Sequence, residues 1–332
     1  MKTRDFQSYR NHVFDLYGAS KYREALEVTL EAREKFPERN GKTSFWIACL
    51  RTRLGEIKDA LQTLEKASKE GLWWSEQQLL TDPDLEPLHS RPEFKAVVAE
   101  SQRLKQSTQS TAKPGMMVLT PRKYSPEQKP PLLMALNERI GYPGDFANHW
   151  MGARKTGFLL VVPHSSQPIS SEEYCWDDPD RSEHDVVWAY RQVRDKYSFD
   201  PAKVIVAGFS QGAALAIYLT LKRTFPCRGF IAVASSDWVA PESKPANQRE
   251  HPSEAFASFI RTKDVGGLRG VVIMGDKDPF LSKVEKLLEG MIERGFNCKI
   301  DVVQNLGHEF PTDFERRLES ATNFLLGYSI GC

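Results

Sequence analysis

The 332 residues include 40% hydrophobic and 27% charged side chains, and the formal net charge is +1. This composition is typical of a soluble globular protein of about two domains. Because nucleic acids and anionic membranes select a basic excess, the near-neutral charge predicts no nucleic-acid partner and no membrane-surface partner. The sequence has no apolar run near the roughly 18 residues that a membrane-spanning helix needs.

Cysteine usage and the N-terminus indicate the cellular compartment. The cysteines are scattered and show no Cys-x-x-Cys spacing, so we expect free thiols in a reducing environment and no metal site. The charged stretch from Met1 to Phe6 lacks the apolar core of a signal peptide. Both observations predict a cytoplasmic protein. The five cysteines are Cys49, Cys175, Cys227, Cys298 and Cys332.

Residues 1–100 form the first predicted domain, with apolar side chains at helical spacing. Ala25-Leu26 returns as Ala60-Leu61, an offset of about 35 residues that is close to the roughly 34-residue tetratricopeptide period. The helices therefore serve either as a docking module for a protein partner or second copy of the chain, or as an appendage that covers apolar surface. Residues 101–114 are rich in Ser, Thr and Gln, which predicts a linker.

From residue 115 to 332, short apolar runs alternate with helical patterns, which predicts an α/β domain with a mostly parallel sheet flanked by helices. In such sheets the site lies beyond the carboxyl ends of the strands. The predicted strands are Met116–Leu119, Pro131–Leu136, Gly157–Val162, Val204–Ala207, Gly229–Ala234, Val271–Gly275 and Cys298–Val303. The predicted helices are one capped by Ser182 and others over about 211–223, 253–263, 281–294 and 312–327.

The fourth predicted strand runs into Gly208-Phe209-Ser210-Gln211-Gly212, and a small, apolar helix pattern follows. A strand, a Gly-x-Ser-x-Gly turn and a helix in this order predict a nucleophile elbow that exposes Ser210. The two glycines allow close approach of neighbouring backbone. The helix N-terminus beside Ser210 places free N–H groups where an oxyanion would develop.

A serine nucleophile needs a histidine base and an acid that orients the base. Folds built on this elbow carry them in the chain order Ser, acid, His, which leaves His251 and His308 as candidates. His308 directly follows the last predicted strand, whereas His251 lies in a polar loop, so we favour His308. The acid is expected after the sixth strand, where Gly-x-x-Asp spacing favours Asp278 and Asp276 remains an alternative.

Three segments, Gly208–Gly212, Gly275–Pro279 and Gly307–Pro311, resemble the phospholipase/carboxylesterase family of α/β-hydrolases, which includes acyl-protein thioesterases. The resemblance covers about residues 115–330. It implies an α/β-hydrolase fold and hydrolysis of small-molecule esters or thioesters without a cofactor. A segment around Trp176 resembles the family's aromatic–Asp loop, and the expected pocket walls are Trp176, Tyr174 and Met134.

The sequence departs from the family after the second predicted strand, where Asn137-Glu138 replaces His-Gly. The oxyanion hole needs backbone N–H groups rather than particular side chains, so Arg139 and Gln211 are expected to supply them. Glu138 narrows the allowed backbone conformations compared with glycine. Its carboxylate would also oppose a developing negative charge if it pointed inward.

The expected reaction is attack by Ser210, followed by hydrolysis of an acyl-serine. Two alternative functions are compatible with the same sequence. A peptidase of the prolyl-oligopeptidase type has the same elbow, acid and base order, although its N-terminal region would be a β-propeller rather than helices. The other alternative is a non-catalytic interaction protein, in which the helical repeats act and the hydrolase domain is a scaffold.

Overall fold

A computed structural model describes residues 5–236 and 264–328. The described residues divide into two compact units. One unit, called here the helical unit, takes its residues from Met1–Ala112 and Pro168–Tyr174. The other, the sheet unit, takes them from Lys113–Gln167 and Cys175–Cys332. Helices and strands are numbered below over the described residues, among which no helix is long and apolar enough to cross a bilayer.

The helical unit is built from helices that pack on their neighbours in sequence. Ala25 and Ala60, which recur at the predicted offset, are both fully buried, as are Ala32 and Ala67. Because alanine adds little bulk, the paired helices can approach closely at these points. The helices are α1 (Phe6–Gly18), α2 (Tyr22–Lys35), α3 (Asn40–Arg53), α4 (Ile57–Lys69), α5 (Glu76–Thr81) and α6 (Pro92–Thr111).

Helix α6 extends through most of the stretch that composition assigned to a linker. It starts at Pro92 and continues to Thr111, so only residues 112–114 remain between it and the first strand. The hydroxyl groups of Thr108 and Thr111 donate to helix carbonyls one turn earlier. Ser and Thr can bond to the backbone in this way inside a helix, which their turn-forming preference conceals in the sequence.

Residues 168–174 belong to the helical unit, where they place two acidic side chains, Glu172, 10% exposed, and Glu173, 3% exposed. The Glu172 carboxylate accepts the backbone N–H groups of Gly41 and Lys42 in the first turn of α3 and lies 3.5 Å from Arg39. Glu173 accepts from Lys42 Nζ at 2.6 Å. A carboxylate at a helix N-terminus is stabilised by the free N–H groups and the helix dipole. These acidic side chains therefore fix the segment within the unit.

The described strands form one sheet in the order β1-β3-β2-β4-β5-β6-β7. Strand β1 runs antiparallel to β3, and all other neighbours are parallel, as the sequence predicted. Each of the seven predicted strands is present. They are β1 (Gly115–Leu119), β2 (Leu132–Leu136), β3 (Leu159–His164), β4 (Val204–Phe209), β5 (Gly229–Val233), β6 (Arg269–Gly275) and β7 (Asn297–Val303).

Helices cover both faces of this sheet. Val204 and Val206 of the central strand β4 belong to the hydrophobic core on one face, and Ile205 and Ala207 to the core on the other. A strand buried on both faces explains why its sequence is continuously apolar. The helices are α7 (Pro143–His149), α8 (Met151–Lys155), α9 (Pro179–Lys196), α10 (Gln211–Lys222), α11 (Leu281–Ile292) and α12 (Phe314–Leu326).

The start of α9 differs from the prediction. Asp178 is the N-cap residue, its side chain accepts the N–H groups of Asp180 and Arg181, and Pro179 is the first helical residue. Ser182 was the predicted cap, but it is buried within the helix and its hydroxyl donates to the Asp178 carbonyl. Proline at the first helical position was the available signal. The helix predicted over 253–263 lies outside the described residues.

Candidate active site

Ser210 lies between the end of β4 and the start of α10, with φ 53° and ψ −118°. A positive φ is rare for a residue with a Cβ and stores backbone strain. It is the conformation of the nucleophile elbow, in which a sharp turn lifts the serine hydroxyl out of the sheet.

Two glycines make this turn sterically possible. A Cβ on Gly208 would overlap the backbone of Gly212, and a Cβ on Gly212 would overlap the carbonyl oxygens of Leu136 and Asn137. The backbone of α10 therefore packs directly against the end of β2. As a result, the loop after β2 is held close to the elbow.

The structure brings together Ser210 and the base and acid that the sequence favours. Ser210 Oγ lies 2.9 Å from His308 Nε2, and His308 Nδ1 lies 2.9 Å from Asp278 Oδ2. Asp278 follows β6 and His308 follows β7, so both lie at carboxyl ends of parallel strands, as Ser210 does. A hydroxyl, an imidazole and a carboxylate in this order have the chemistry to act as nucleophile, base and orienting acid.

The two candidate acids occupy different environments. The Asp278 side chain is 0% exposed, and its second oxygen accepts the Phe280 N–H at 2.9 Å. Asp276 is exposed, and its backbone N–H donates to the Val303 carbonyl. Of these two aspartates, only Asp278 contacts His308 in the described part of the chain. The other candidate base, His251, lies outside them.

Aromatic rings that the sequence did not single out surround His308. The ring centroid of Phe209 lies 5.3 Å from that of His308, and the Phe280 ring meets His308 edge-on at 5.4 Å. Phe310 stacks on Phe209 at 4.5 Å and on His149 at 4.1 Å. Phe209 and Phe280 thus contact the imidazole directly, and Phe310 packs on Phe209. Phe209 lies in the elbow motif and Phe310 in the segment that contains His308, so their positions in the sequence could have indicated that they lie near the site.

The residues expected at the oxyanion hole flank the elbow. Gln211 is the first residue of α10 and is buried, and the first N–H groups of a helix have no acceptor within it. Arg139 lies in the loop after β2, with its guanidinium bonded to Asp177. In the same loop, the Glu138 carbonyl accepts from Asn137 Nδ2 at 2.7 Å. The role of both backbone N–H groups stays a prediction.

The predicted pocket residues have separate locations. Met134 lies within β2 and is 0% exposed, and Trp176 is 1% exposed; both belong to the core on the same face of the sheet. Trp176 Nε1 donates to the Asn137 carbonyl at 2.9 Å. Tyr174 belongs to the helical unit, where burial raises its pKa. Their assignment to a substrate pocket stays a prediction.

One cluster in the helical unit has metal-ligand chemistry. Cys49, Asp82 and Asp84 each place one ligand atom within 4.8 Å of the others. The Tyr17 hydroxyl donates to Asp84 at 2.8 Å, and Arg53 contacts the same oxygen. Burial raises the pKa of the Cys49 thiol well above its ordinary value, which disfavours the thiolate that binds metals. The contacts are those of a structural ion-pair cluster.

Family models match two parts of the chain. The model described as "A/B hydrolase-like, N-terminal domain" matches residues 5–109, and that of the phospholipase/carboxylesterase family matches residues 191–259. The second match includes the elbow and Ser210. No curated protein matches the chain significantly.

Several solved structures have a similar fold. An uncharacterized protein from Bacillus cereus ATCC 10987 is 21% identical, covers 98% of this chain and 100% of its own, and has a TM-score of 0.52. Esterase PE8 is 17% identical over 65% of this chain and 100% of its own, with a TM-score of 0.52. Esterase 2 of Thermogutta terrifontis is 14% identical over 66% and 92%, respectively, also at 0.52.

At these identities the structural likeness shows the fold. The matches in both parts of the chain add that a helical region of a kind associated with hydrolases precedes this fold. The chain thus has an α/β-hydrolase fold. Its match to the phospholipase/carboxylesterase family, which includes the elbow, indicates a hydrolase of the carboxylesterase type.

Proposed function

We propose that the protein is a serine hydrolase that cleaves carboxylic ester bonds through an acyl-enzyme formed on Ser210. The observation that carries the proposal is the continuous contact from Asp278 through His308 to Ser210, with 2.9 Å at each step. A buried carboxylate, an imidazole and a hydroxyl in this sequence can move a proton away from the nucleophile.

In the first half of the reaction, Ser210 Oγ attacks the ester carbonyl while His308 Nε2 takes the hydroxyl proton. This requires the imidazole tautomer that carries its proton on Nδ1, which then donates to Asp278 Oδ2. The carboxylate thereby orients the ring and stabilises the imidazolium as it forms. His308 next gives the proton to the departing alcohol oxygen, which leaves an ester between the acyl group and Ser210.

In the second half, His308 removes a proton from water, which attacks the acyl-serine carbonyl. The carboxylic acid leaves and the proton returns to Ser210 Oγ. Both tetrahedral intermediates carry an oxyanion. We assign its stabilisation to the backbone N–H groups of Gln211 and Arg139.

A fluorophosphonate probe and p-nitrophenyl acetate test this proposal. The wild-type protein is expected to be labelled on Ser210 and to hydrolyse the ester. Ser210→Ala is expected to lose labelling and to lower turnover by about 10⁴-fold or more. Ester hydrolysis by Ser210→Ala at the wild-type rate would refute the proposal, and so would folded wild-type protein that neither reacts with the probe nor turns over the ester.

Which acyl group and which type of bond the enzyme prefers is tested separately. A matched panel of p-nitrophenyl esters, thioesters and aminoacyl amides of graded chain length would compare kcat/KM for each bond type. We expect esters to be turned over, with thioesters as the next candidates. Preference for the amides would favour a peptidase instead. A protein partner or self-association of the helical unit is a separate prediction, and the mass of the protein in solution tests the latter.

A further inference from the structure

The segment between β3 and α9 contacts both residues that we assign to the oxyanion hole. Arg139 donates to Asp177 twice, from Nε to Oδ1 at 2.9 Å and from Nη2 to Oδ2 at 3.0 Å. Gln211 Nε2 donates to the same Oδ1 at 2.9 Å. One carboxylate thus links the loop after β2 to the first residue of α10.

Trp176, which precedes Asp177, bonds to the same two parts of the structure. The backbone N–H of Trp176 donates to Gln211 Oε1 at 2.9 Å, so both ends of the Gln211 amide are bonded. The Trp176 indole N–H donates to the Asn137 carbonyl at 2.9 Å. Trp176 and Asp177 therefore each bond to the β2 loop and to the start of α10.

We propose that Asp177 is a positioning residue whose carboxylate holds Arg139 and Gln211 at the spacing at which their backbone N–H groups stabilise the oxyanion. This inference rests on the proposed esterase function. It deepens that function by assigning a role to a side chain that touches neither Ser210 nor His308 in the described contacts.

The exposure and geometry of the Arg139–Asp177 pair indicate that the Asp177 carboxylate positions its partners and adds little to the stability of the fold. The side chains of Arg139 and Asp177 are 38% and 42% exposed, and exposed ion pairs contribute little to stability. A bidentate guanidinium–carboxylate pair nevertheless fixes direction as well as distance. Because Asp177 Oδ1 also accepts from Gln211 Nε2, the same carboxylate holds the residue that follows Ser210 in the elbow.

Backbone strain in the same loop supports the need for such a restraint. Ile140, next to Arg139, has φ 66°. A β-branched residue in this region is a true outlier and persists only where its surroundings enforce the conformation. The bidentate bond to the adjacent Arg139 side chain is one restraint that can do so.

The charge of Asp177 fits this role. Burial acts to raise its pKa, but the hydrogen bonds from Arg139 and Gln211 outweigh burial and hold the pKa below the ordinary value. Asp177 is thus an anion at neutral pH and accepts from both donors. Replacement by asparagine keeps the shape and removes the charge and one acceptor oxygen.

The test compares the full-length wild type with Asp177→Asn, Arg139→Gln and the double variant on p-nitrophenyl acetate. Because a misplacement of about 1 Å can cost about 10²-fold in rate, we expect each single variant to lose roughly ten- to a hundredfold in kcat. KM is expected to change little. The double variant is expected to lose no more than the worse single variant, because the two residues act as one unit.

A reversible trifluoromethyl ketone gives a second readout, because its adduct with serine carries an oxyanion. Its affinity is expected to fall in the same ratio as kcat, which a purely structural role would not produce. Asp180→Asn, an exposed aspartate in the first turn of α9, is the matched control and is expected to behave as the wild type.

Wild-type kcat in Asp177→Asn, or losses that multiply in the double variant, would overturn the positioning role. Failure of the proposed function looks different, because either Ser210→Ala would hydrolyse the ester as the wild type does, or the folded wild type would not hydrolyse it at all. Thermal unfolding checks that each variant is folded. If Asp177→Asn does not fold, Arg139→Gln provides the same comparison through a partly exposed side chain.

Discussion

The helical unit and the sheet unit each hold a largely buried carboxylate, but the partners of the two carboxylates differ. In the helical unit, Glu172 accepts backbone N–H groups at the start of α3 and lies near Arg39. These partners only donate hydrogen bonds or carry a permanent positive charge. In the sheet unit, Asp278 contacts His308, whose other nitrogen contacts Ser210. A largely buried acid is thus a structural feature where its partners are backbone N–H groups and a permanently charged guanidinium. It indicates chemistry where they continue to a titratable group and a nucleophile.

The largest expected effect tests the catalytic half of this comparison. Asp278→Asn keeps the size of the side chain but removes the negative charge and stabilises the wrong imidazole tautomer. We expect kcat for p-nitrophenyl acetate to fall by about 10⁴-fold, with little change in KM. Asp276→Asn is the control, because this exposed aspartate makes no contact with His308 among the described residues. The opposite pattern would assign the acid to Asp276.

The next effect concerns the steric basis of the elbow. Gly212→Ala would place a Cβ against the carbonyl oxygens at the end of β2, which are backbone atoms and cannot rotate away. Overpacking of this kind costs roughly 1–3 kcal/mol, and displacement of the β2 loop is expected to lower kcat as well. Urea unfolding and ester turnover measure the two effects.

Gly290→Ala is the matched control for that substitution. Gly290 lies in α11, and nothing lies within 4 Å of an added Cβ. Alanine in an open helical position is expected to stabilise by about 0.5–1 kcal/mol and to leave turnover unchanged. Equal stability losses in both variants would show that close packing at Gly212 is not the cause.

Local signals made the sheet and the elbow predictable. Apolar runs gave the seven strands, and Gly-x-Ser-x-Gly gave the turn at Ser210. Chain order, together with position after a strand, gave the expectation of Asp278 and His308. Each of these depends on residues close in sequence or on the position of a residue after a strand. The alternation of strands and helices predicts a mostly parallel sheet. It does not specify which strands lie next to each other in that sheet.

Contacts between distant polar side chains were not predictable. Asp177 meets Arg139 and Gln211 across 38 and 34 residues, and no periodicity marks such pairs. The segment around Trp176 resembles the family's aromatic–Asp loop, but its hydrogen-bond partners depend on how the loops fold. The assignment of residues 168–174 to the helical unit is similar, because Glu172 and Glu173 lie about 130 residues from their partners.

The smallest expected effect tests the structural half of the comparison. Burial raises the pKa of Glu172 more than its N–H donors and Arg39 lower it. Its folded-state pKa therefore exceeds the unfolded value, so its contribution to stability is largest below the unfolded pKa and declines as pH rises through the folded pKa. We expect the wild type to gain stability relative to Glu172→Gln as the pH falls from neutral towards about 4.5, the ordinary range of glutamate.

Two substitutions at this position separate charge from hydrogen bonding. At neutral pH, Glu172→Gln retains an acceptor for the α3 N–H groups, so the free energy of unfolding is expected to change by less than about 1 kcal/mol. Glu172→Ala leaves those N–H groups without their acceptor and is expected to cost roughly 1–3 kcal/mol. Urea unfolding at several pH values measures both, with the exposed Glu34→Gln as control. If the glutamine variant were the more destabilised of the two, the carboxylate charge itself would be the stabilising feature, contrary to the raised pKa.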